Sequence, residues 1–362
     1  MRRGLMSLAL FAFALASSAA RGQEVDDKAR QEVIAKAIGY LKSSQGADGS
    51  FSPKIAGPGV TSLVVAGLLK NGVSPKEPVV EKGLKYIESQ VQKDGGIYNK
   101  MLATYTTSVA AMALKEGNSD KKYDAVLKNA GEFLKRIQMD DETKPTHGGF
   151  NYGDKKSPPD TSNTGFAIEA LIAAGISKDD PALQKAMKFM SRSQNLAGET
   201  NDLPFAKKAS KEDEGGFVYN NTAVADSKYA TAAGGLRSLG SMTYSGLKSF
   251  LYAGVSKEDP RVKAAVGWIR QHYTLKENPG LGDAGLFYYY HTFAKAMEAL
   301  GEDPFTDAAG KKHAWRSELF DALKSRQQAD GSWRNMGDRT FAEDNQDLAT
   351  AFALLSLSYT KK

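Results

Sequence analysis

Apolar positions along the chain fall into alternating segments of two kinds. In the first kind, as in 79–90 and 181–194, hydrophobic residues recur every three or four positions and lysines occupy the opposite face. That period predicts amphipathic helices lying over a core. In the second kind, Ala, Leu, Val and Ser run almost without interruption: 61–69, 105–114, 164–174, 244–253, 291–300 and 350–357. A helix apolar nearly all round predicts burial. Pro181 and Pro260 follow the acidic pairs Asp179-Asp180 and Glu258-Asp259. Acid at the cap with proline in the first turn marks a helix start.

Between the two kinds of helix stands a recurring turn. Its first copy reads Tyr40-Leu41, Gln45, Asp48-Gly49-Ser50-Phe51, and its last reads Ala322-Leu323, Gln327, Asp330-Gly331-Ser332-Trp333. Leu to Gln is four residues and Gln to Asp is three residues in both. Four copies lie between: Asp94-Gly95-Gly96-Ile97; Gln138 with Gly148-Gly149-Phe150; Gln194 with Gly215-Gly216-Phe217; and Gly285-Leu286-Phe287. The closing apolar anchors are spaced 46, 53, 67, 70 and 46 residues apart, so insertions fall in loops between units of fixed length. The glutamine can bond backbone groups at a helix end, the glycines allow a tight turn, and the anchor packs back on the helix.

Six helical hairpins cannot each bury an inner helix alone. A linear stack needs capping repeats, whereas a closed ring needs none. The pattern therefore predicts an all-α fold, a single (α/α)6 barrel rather than two domains, with the inner-helix ends around a central cavity. Two long polar insertions, 140–159 and 196–218, precede inner helices and have the length of binding loops or lids.

Composition narrows the chemistry. The 362 residues include no cysteine, which excludes disulfides, thiol nucleophiles and thiolate-ligated zinc. Four histidines leave little for a metal site, and none is expected. No glycine-rich nucleotide fingerprint is present, so no cofactor is expected. Arg2 and Arg3, an apolar run from Leu5 to Ala16 and the small residues 17–20 predict a Sec signal peptide over 1–22, cut after Ala20 or Gly22. The domain would then span 23–362, exported to the periplasm or beyond, with no membrane span after cleavage. Cutting after Gly22 removes three arginines, taking the net charge from +6 to +6 − 3 = +3. With its lysines interspersed among acids, such a chain has no signature of nucleic-acid binding.

The Leu-x-x-x-Gln … Gly-Ser-Trp/Phe unit, from about Glu32 to the C-terminus, resembles the repeat of squalene cyclases and protein prenyltransferase β subunits. The resemblance implies an α/α toroid of the terpenoid cyclase and prenyltransferase type. Squalene-hopene cyclases start their reaction from the middle Asp of Asp-x-Asp-Asp-Thr. The similar stretch is Asp160-Thr161-Ser162-Asn163-Thr164, with Ser162 at the proton donor's place. A serine hydroxyl is far too weak an acid to protonate an alkene. The β subunits hold zinc through Asp, Cys and His. The similar segments are Ser241-Met242-Thr243-Tyr244-Ser245 and Tyr290-His291-Thr292, where only His291 survives as a ligand. One histidine does not hold zinc tightly.

Polar residues at the expected inner-helix starts remain as candidates. Asp160, Asp344, Asp347 and His291 could supply acid–base chemistry; Asn163, Tyr244, Lys248, Tyr289 and Tyr290 could line a ligand pocket. Asp160 also reads as an N-cap. Three functions are compatible: a binding protein for an apolar or isoprenoid-like molecule, an enzyme on the same barrel, or a protein-interaction scaffold. The enzyme would be a terpene cyclase using Asp344 or Asp347, or a polysaccharide hydrolase or lyase with two facing carboxylates.

Overall fold

The computed structural model describes residues 25–154, 157–222, 228–337 and 339–361; the expected leader lies outside them. Six outer helices, α1 (Asp27–Ser44), α4 (Pro78–Ser89), α6 (Asp124–Ile137), α8 (Pro181–Arg192), α10 (Pro260–His272) and α12 (Trp315–Lys324), alternate with six inner ones. The inner helices are α3 (Pro58–Lys70), α5 (Ala103–Glu116), α7 (Thr161–Ala173), α9 (Gly240–Tyr252), α11 (Leu286–Leu300) and α13 (Gln346–Leu357). A single turn, α2 (Pro53–Ala56), precedes α3, and the short strands β1 (Phe305–Thr306) and β2 (Lys312–His313) pair before α12.

Each inner helix packs on the next, and α13 packs back on α3, so the ring closes. The inner helices are buried almost residue by residue, as their composition requires: every position of α3 from Pro58 to Leu68 is buried. The first helix seals the junction. Arg30, itself buried in α1, donates to Thr360 Oγ1 at 3.1 Å and to the Leu357 carbonyl at 3.2 Å. Outer helices begin where the sequence signals them: Asp180 and Asp259 cap α8 and α10 through side-chain bonds to Ala182 N and Arg261 N, both 2.9 Å, with proline next in line.

The repeat glutamines form four of the six seams. Gln45 Nε2 donates to the carbonyl of its own turn at Gly49 (3.1 Å) and to Val79 in the following outer helix (2.9 Å). Gln138 bridges Gly148 and Ala182 (2.9 and 2.8 Å), and Gln194 bridges Gly215 and Arg261 (2.9 and 2.8 Å). Gln327 bridges Gly331 and Val33 (3.0 and 2.9 Å), tying the last repeat to the first. The turn glycine makes the close approach possible. Gly331 has φ 91°, and a Cβ there would collide with the backbone carbonyl of Lys36 in α1.

The anchor is seated by the inner helix. The amides of Phe51, Ile97, Phe150, Phe217 and Trp333 donate to Thr61, Thr107, Thr164, Thr243 and Thr350 at 2.9–3.0 Å. The fifth unit departs from this. Gly285 is the cap of α11, so Phe287 lies inside the helix, and Glu343 accepts its amide instead, at 3.1 Å.

All six inner helices start earlier than their apolar runs suggest, and at α9 and α11 the early start moves candidate residues. Helix α9 begins at Gly240 and α11 at Leu286, against expected starts at 244 and 291. First-turn amides have no partner within a helix. Here distant groups accept them: Asn278 Oδ1 takes Ser241 N at 3.0 Å, and Glu343 Oε1 takes Tyr288 N at 2.8 Å. No local sequence signal announces such caps.

Gly331→Ala combines a left-handed φ with a backbone collision at the closing seam. It is expected to cost about 2–4 kcal/mol in urea denaturation. A change below about 0.5 kcal/mol, the range of ordinary surface substitutions, would show that the seam is not tight.

Candidate functional site

A cavity of about 270 Å³ opens at the N-terminal ends of the inner helices. Its wall follows a simple rule. The third residue of five inner helices lines it: Tyr105, Asn163, Met242, Tyr288 and Leu348. One turn deeper stand Phe166 and Phe352, four residues after Ser162 and Leu348 on the same helix faces. Tyr105, Phe166, Tyr288 and Phe352 form a continuous aromatic belt with successive centroids 5.4, 5.8 and 5.7 Å apart.

Both long insertions reach this mouth. The first carries Tyr152 and the second leads directly into Tyr219; both line the cavity, and their hydroxyls meet at 2.8 Å. The second insertion is pinned beside α7 by Thr161, which donates through its amide to Tyr219 O (2.9 Å) and through Oγ1 to Val218 O (2.7 Å). The segment Thr340–Glu343 closes another side.

Polar groups are few and mostly fixed. Asp160 caps α7: Oδ1 accepts the Asn163 amide and Oδ2 accepts Asn163 Nδ2, both at 2.7 Å. Burial pushes the Asp160 carboxyl up to about 6, against the lowering effect of those bonds. Glu343 is fully buried, lines the cavity, and accepts from the amides of Phe287 and Tyr288 and from Asn335 Nδ2 (3.2 Å). Burial raises it to about 7 despite those donors. Ser162, at the place where the cyclase motif has its proton donor, shares a hydrogen bond with Tyr288 at 2.9 Å.

The sequence candidates separate into three groups. Asn163 lines the cavity and Asp160 stands directly behind it. Asp344 and Asp347 do not line it. Asp344 pairs with Arg339 at 3.3 Å, and Asp347 accepts from Tyr40 (3.1 Å) and Ser52 (2.6 Å) on the first repeat. Tyr244, Lys248, Tyr289, Tyr290 and His291 also miss the cavity, because α9 and α11 begin earlier and carry these residues past the mouth. Tyr244 packs on Phe293 (5.0 Å) and Tyr289 (5.6 Å). Tyr289 and Tyr290 donate to the carbonyls of Thr274 and Leu275, both at 2.6 Å. His291 is buried against Phe352, and burial followed by the nearby Lys295 holds its pKa well below the usual imidazole range.

Lys248 belongs to a buried triad. Its ammonium and that of Lys295 each bond one oxygen of Glu169. Burial alone would raise Glu169, but the two lysines outweigh it and hold the carboxyl at about 2. Glu169 and Lys295 face a second cavity, about 290 Å³, at the opposite end of the barrel beside Lys70, Glu116, Tyr252 and Tyr359.

Glu343, Phe166 and the two insertion tyrosines were not candidates from sequence, and Tyr288 stood only as the first residue of the tyrosine run 288–290. The third-position rule would have found Tyr288 had the start of α11 been legible. Glu343 has no such signal, because its role depends on a helix about 55 residues earlier in the chain.

Fold and site together define an α/α toroid with one apolar, aromatic-lined mouth. The squalene-hopene cyclase C-terminal domain family matches residues 54–211. Three solved structures are similar in fold. A possible member of the GH105 family from Salmonella enterica is 12% identical, covers 96% of this chain and 98% of its own, and has TM-score 0.57. A glycosyl hydrolase family 88 protein from Bacteroides vulgatus is 10% identical over 91% and 98%, with TM-score 0.56. Protein geranylgeranyltransferase-I from Candida albicans, complexed with GGPP, is 14% identical over 90% of each chain, with TM-score 0.50. No curated protein matches the sequence. The family match falls on part of the repeat array, and the solved structures share the α/α-toroid fold.

The two raised carboxyls set a pH dependence. Asp160 and Glu343 bind protons more tightly folded (about 6 and about 7) than their reference values of 3.8 and 4.5. Their contribution to stability is therefore fully present below the unfolded values and lost as pH rises through 6 and 7. The urea midpoint of Glu343→Gln is expected to fall less between pH 5 and 8 than that of the unmodified chain. Parallel falls would show that Glu343 does not titrate in this window.

Proposed function

We propose that the chain is an exported binding protein that holds a small, predominantly apolar, isoprenoid-like molecule in the N-terminal mouth of the barrel. The observation that carries this reading is the wall itself. Ile55, Leu102, Phe166, Met242, Leu281, Phe341, Leu348 and Phe352 dominate it, and a few fixed polar groups punctuate it. That is the usual make-up of a small-molecule site, and its volume falls near the lower end of the usual range of about 300–1,000 Å³.

Turnover has less support. At the cyclase donor position stands Ser162, whose hydroxyl is engaged with Tyr288. A glycosidase would need two carboxylates facing across the site. Among the described residues, Glu343 is the one carboxylate lining the cavity, so no second carboxylate faces it. Export rests on the N-terminal pattern of basic, apolar and small residues. No helix among the described residues is long and apolar enough to cross a membrane.

Native mass spectrometry of protein recovered from the exported fraction tests both parts. The expected spectrum shows a chain beginning after Ala20 or Gly22 and carrying a discrete extra mass that organic solvent extracts. Retention of Met1 would refute export with cleavage. A chain free of added mass, and unable to take up isoprenoid alcohols, would refute the binding reading.

A further inference from the structure

Resting on the reading of this mouth as a ligand site, we infer that its ligand carries a protonated amine on an apolar body. The geometry of Asn163 gives the first reason. Once ionised, as at pH 8, Asp160 can only accept from the side chain it faces, so Asn163 Nδ2 points at Asp160 Oδ2. That fixes Asn163 Oδ1 the other way, where it is buried and has no hydrogen-bond partner. A buried acceptor without a donor is costly, and the cavity that Asn163 lines is where a donor would come from.

The charges give the second reason. Glu343 is the one charged residue among the described residues lining the cavity, and no lysine, arginine or histidine joins it there. Three donors meet its carboxylate, which offers roughly four acceptor sites. Neither Glu343 nor Asp160 forms an ion pair among the described residues. Lys248 lies 5.9 Å from the Phe166 ring centroid, yet it is held by Glu169 and does not line the cavity.

Helix N-termini ordinarily favour anions through their free amides. Here those amides are taken: Asn163 N by Asp160, Ser241 N by Asn278, and Phe287 N and Tyr288 N by Glu343. An anionic headgroup would meet neither a cation nor these donors. An ammonium would meet the rings of Tyr105, Phe166, Tyr288 and Phe352, whose ring electrons attract cations, with Asn163 Oδ1 and the Glu343 carboxylate as the acceptors buried in the wall behind them.

Three probes of one shape separate the possibilities: 2-phenylethylamine, 2-phenylethanol and 3-phenylpropionate. They are measured by titration calorimetry at pH 8 on the mature chain and located by crystal soaking. The amine is expected in the mouth and at least about tenfold tighter than the alcohol, the difference between a charge-assisted and a neutral hydrogen bond. The propionate is expected to bind more weakly than either. Glu343→Gln is expected to bring amine and alcohol within about threefold of each other. Asn163→Leu, which leaves the cap of α11 untouched, is expected to reduce the same preference and serves if the first variant does not fold. An alcohol seated in the mouth and binding as tightly as the amine would overturn the amine inference while leaving the binding reading intact. Absence of all three probes from the mouth would overturn both. An amine preference that survives both substitutions would overturn the assignment to these groups.

Discussion

A glutamine amide that bridges two backbone carbonyls holds four of the six hairpins to the next, the last to the first included, and the barrel's closure depends on that bridge. One carbonyl belongs to the glycine turn of the same repeat and the other to the first turn of the following outer helix. The left-handed glycine brings the two backbones close enough for one side chain to satisfy both. Each such bond contributes on the order of 1 kcal/mol net. Around the ring, the bridges together amount to a sizeable part of the 5–15 kcal/mol by which a folded domain usually exceeds its unfolded state. The bridge from Gln327 to Val33 uses the same geometry as the others, so the ring closes without a special junction.

Closure also sorts charge along the axis. All six inner helices run the same way, with their N-termini at the aromatic mouth and their C-termini at the opposite end. The buried carboxyls Asp160 and Glu343 lie at helix starts, while Lys248 and Lys295 lie in the C-terminal halves of α9 and α11. This is the arrangement that helix dipoles favour. It also explains how two carboxyls persist at the mouth without a paired cation. The mouth is left apolar, aromatic and rich in acceptors, whereas the opposite end is lysine-rich and ion-paired.

The repeat architecture was legible because its signals are local. Gln45 to Asp48 and Gln327 to Asp330 carry the turn in a few residues, and α3 or α13 announces burial in its composition. The site was legible only in part. Asp160 and Asn163 stand at a helix start that the sequence marks plainly. Lys248, Tyr289, Tyr290 and His291 were displaced from the mouth because α9 and α11 are capped by Asn278 and Glu343, which arrive from distant loops. A shift of four or five residues along a helix carries a side chain more than a full turn away. Asp347 lies in the first turn of α13 but turns to Tyr40 and Ser52 across the closing junction.

The most direct measurement is a crystal structure of the purified chain with any co-purifying molecule retained. The account predicts a closed ring in which Gln327 reaches Val33, and ligand density in the mouth between Phe166, Tyr288 and Phe352 with its polar end at Asn163 and Glu343. A ring open between the first and last repeats, or a ligand seated instead at Lys70 and Lys295, would contradict it.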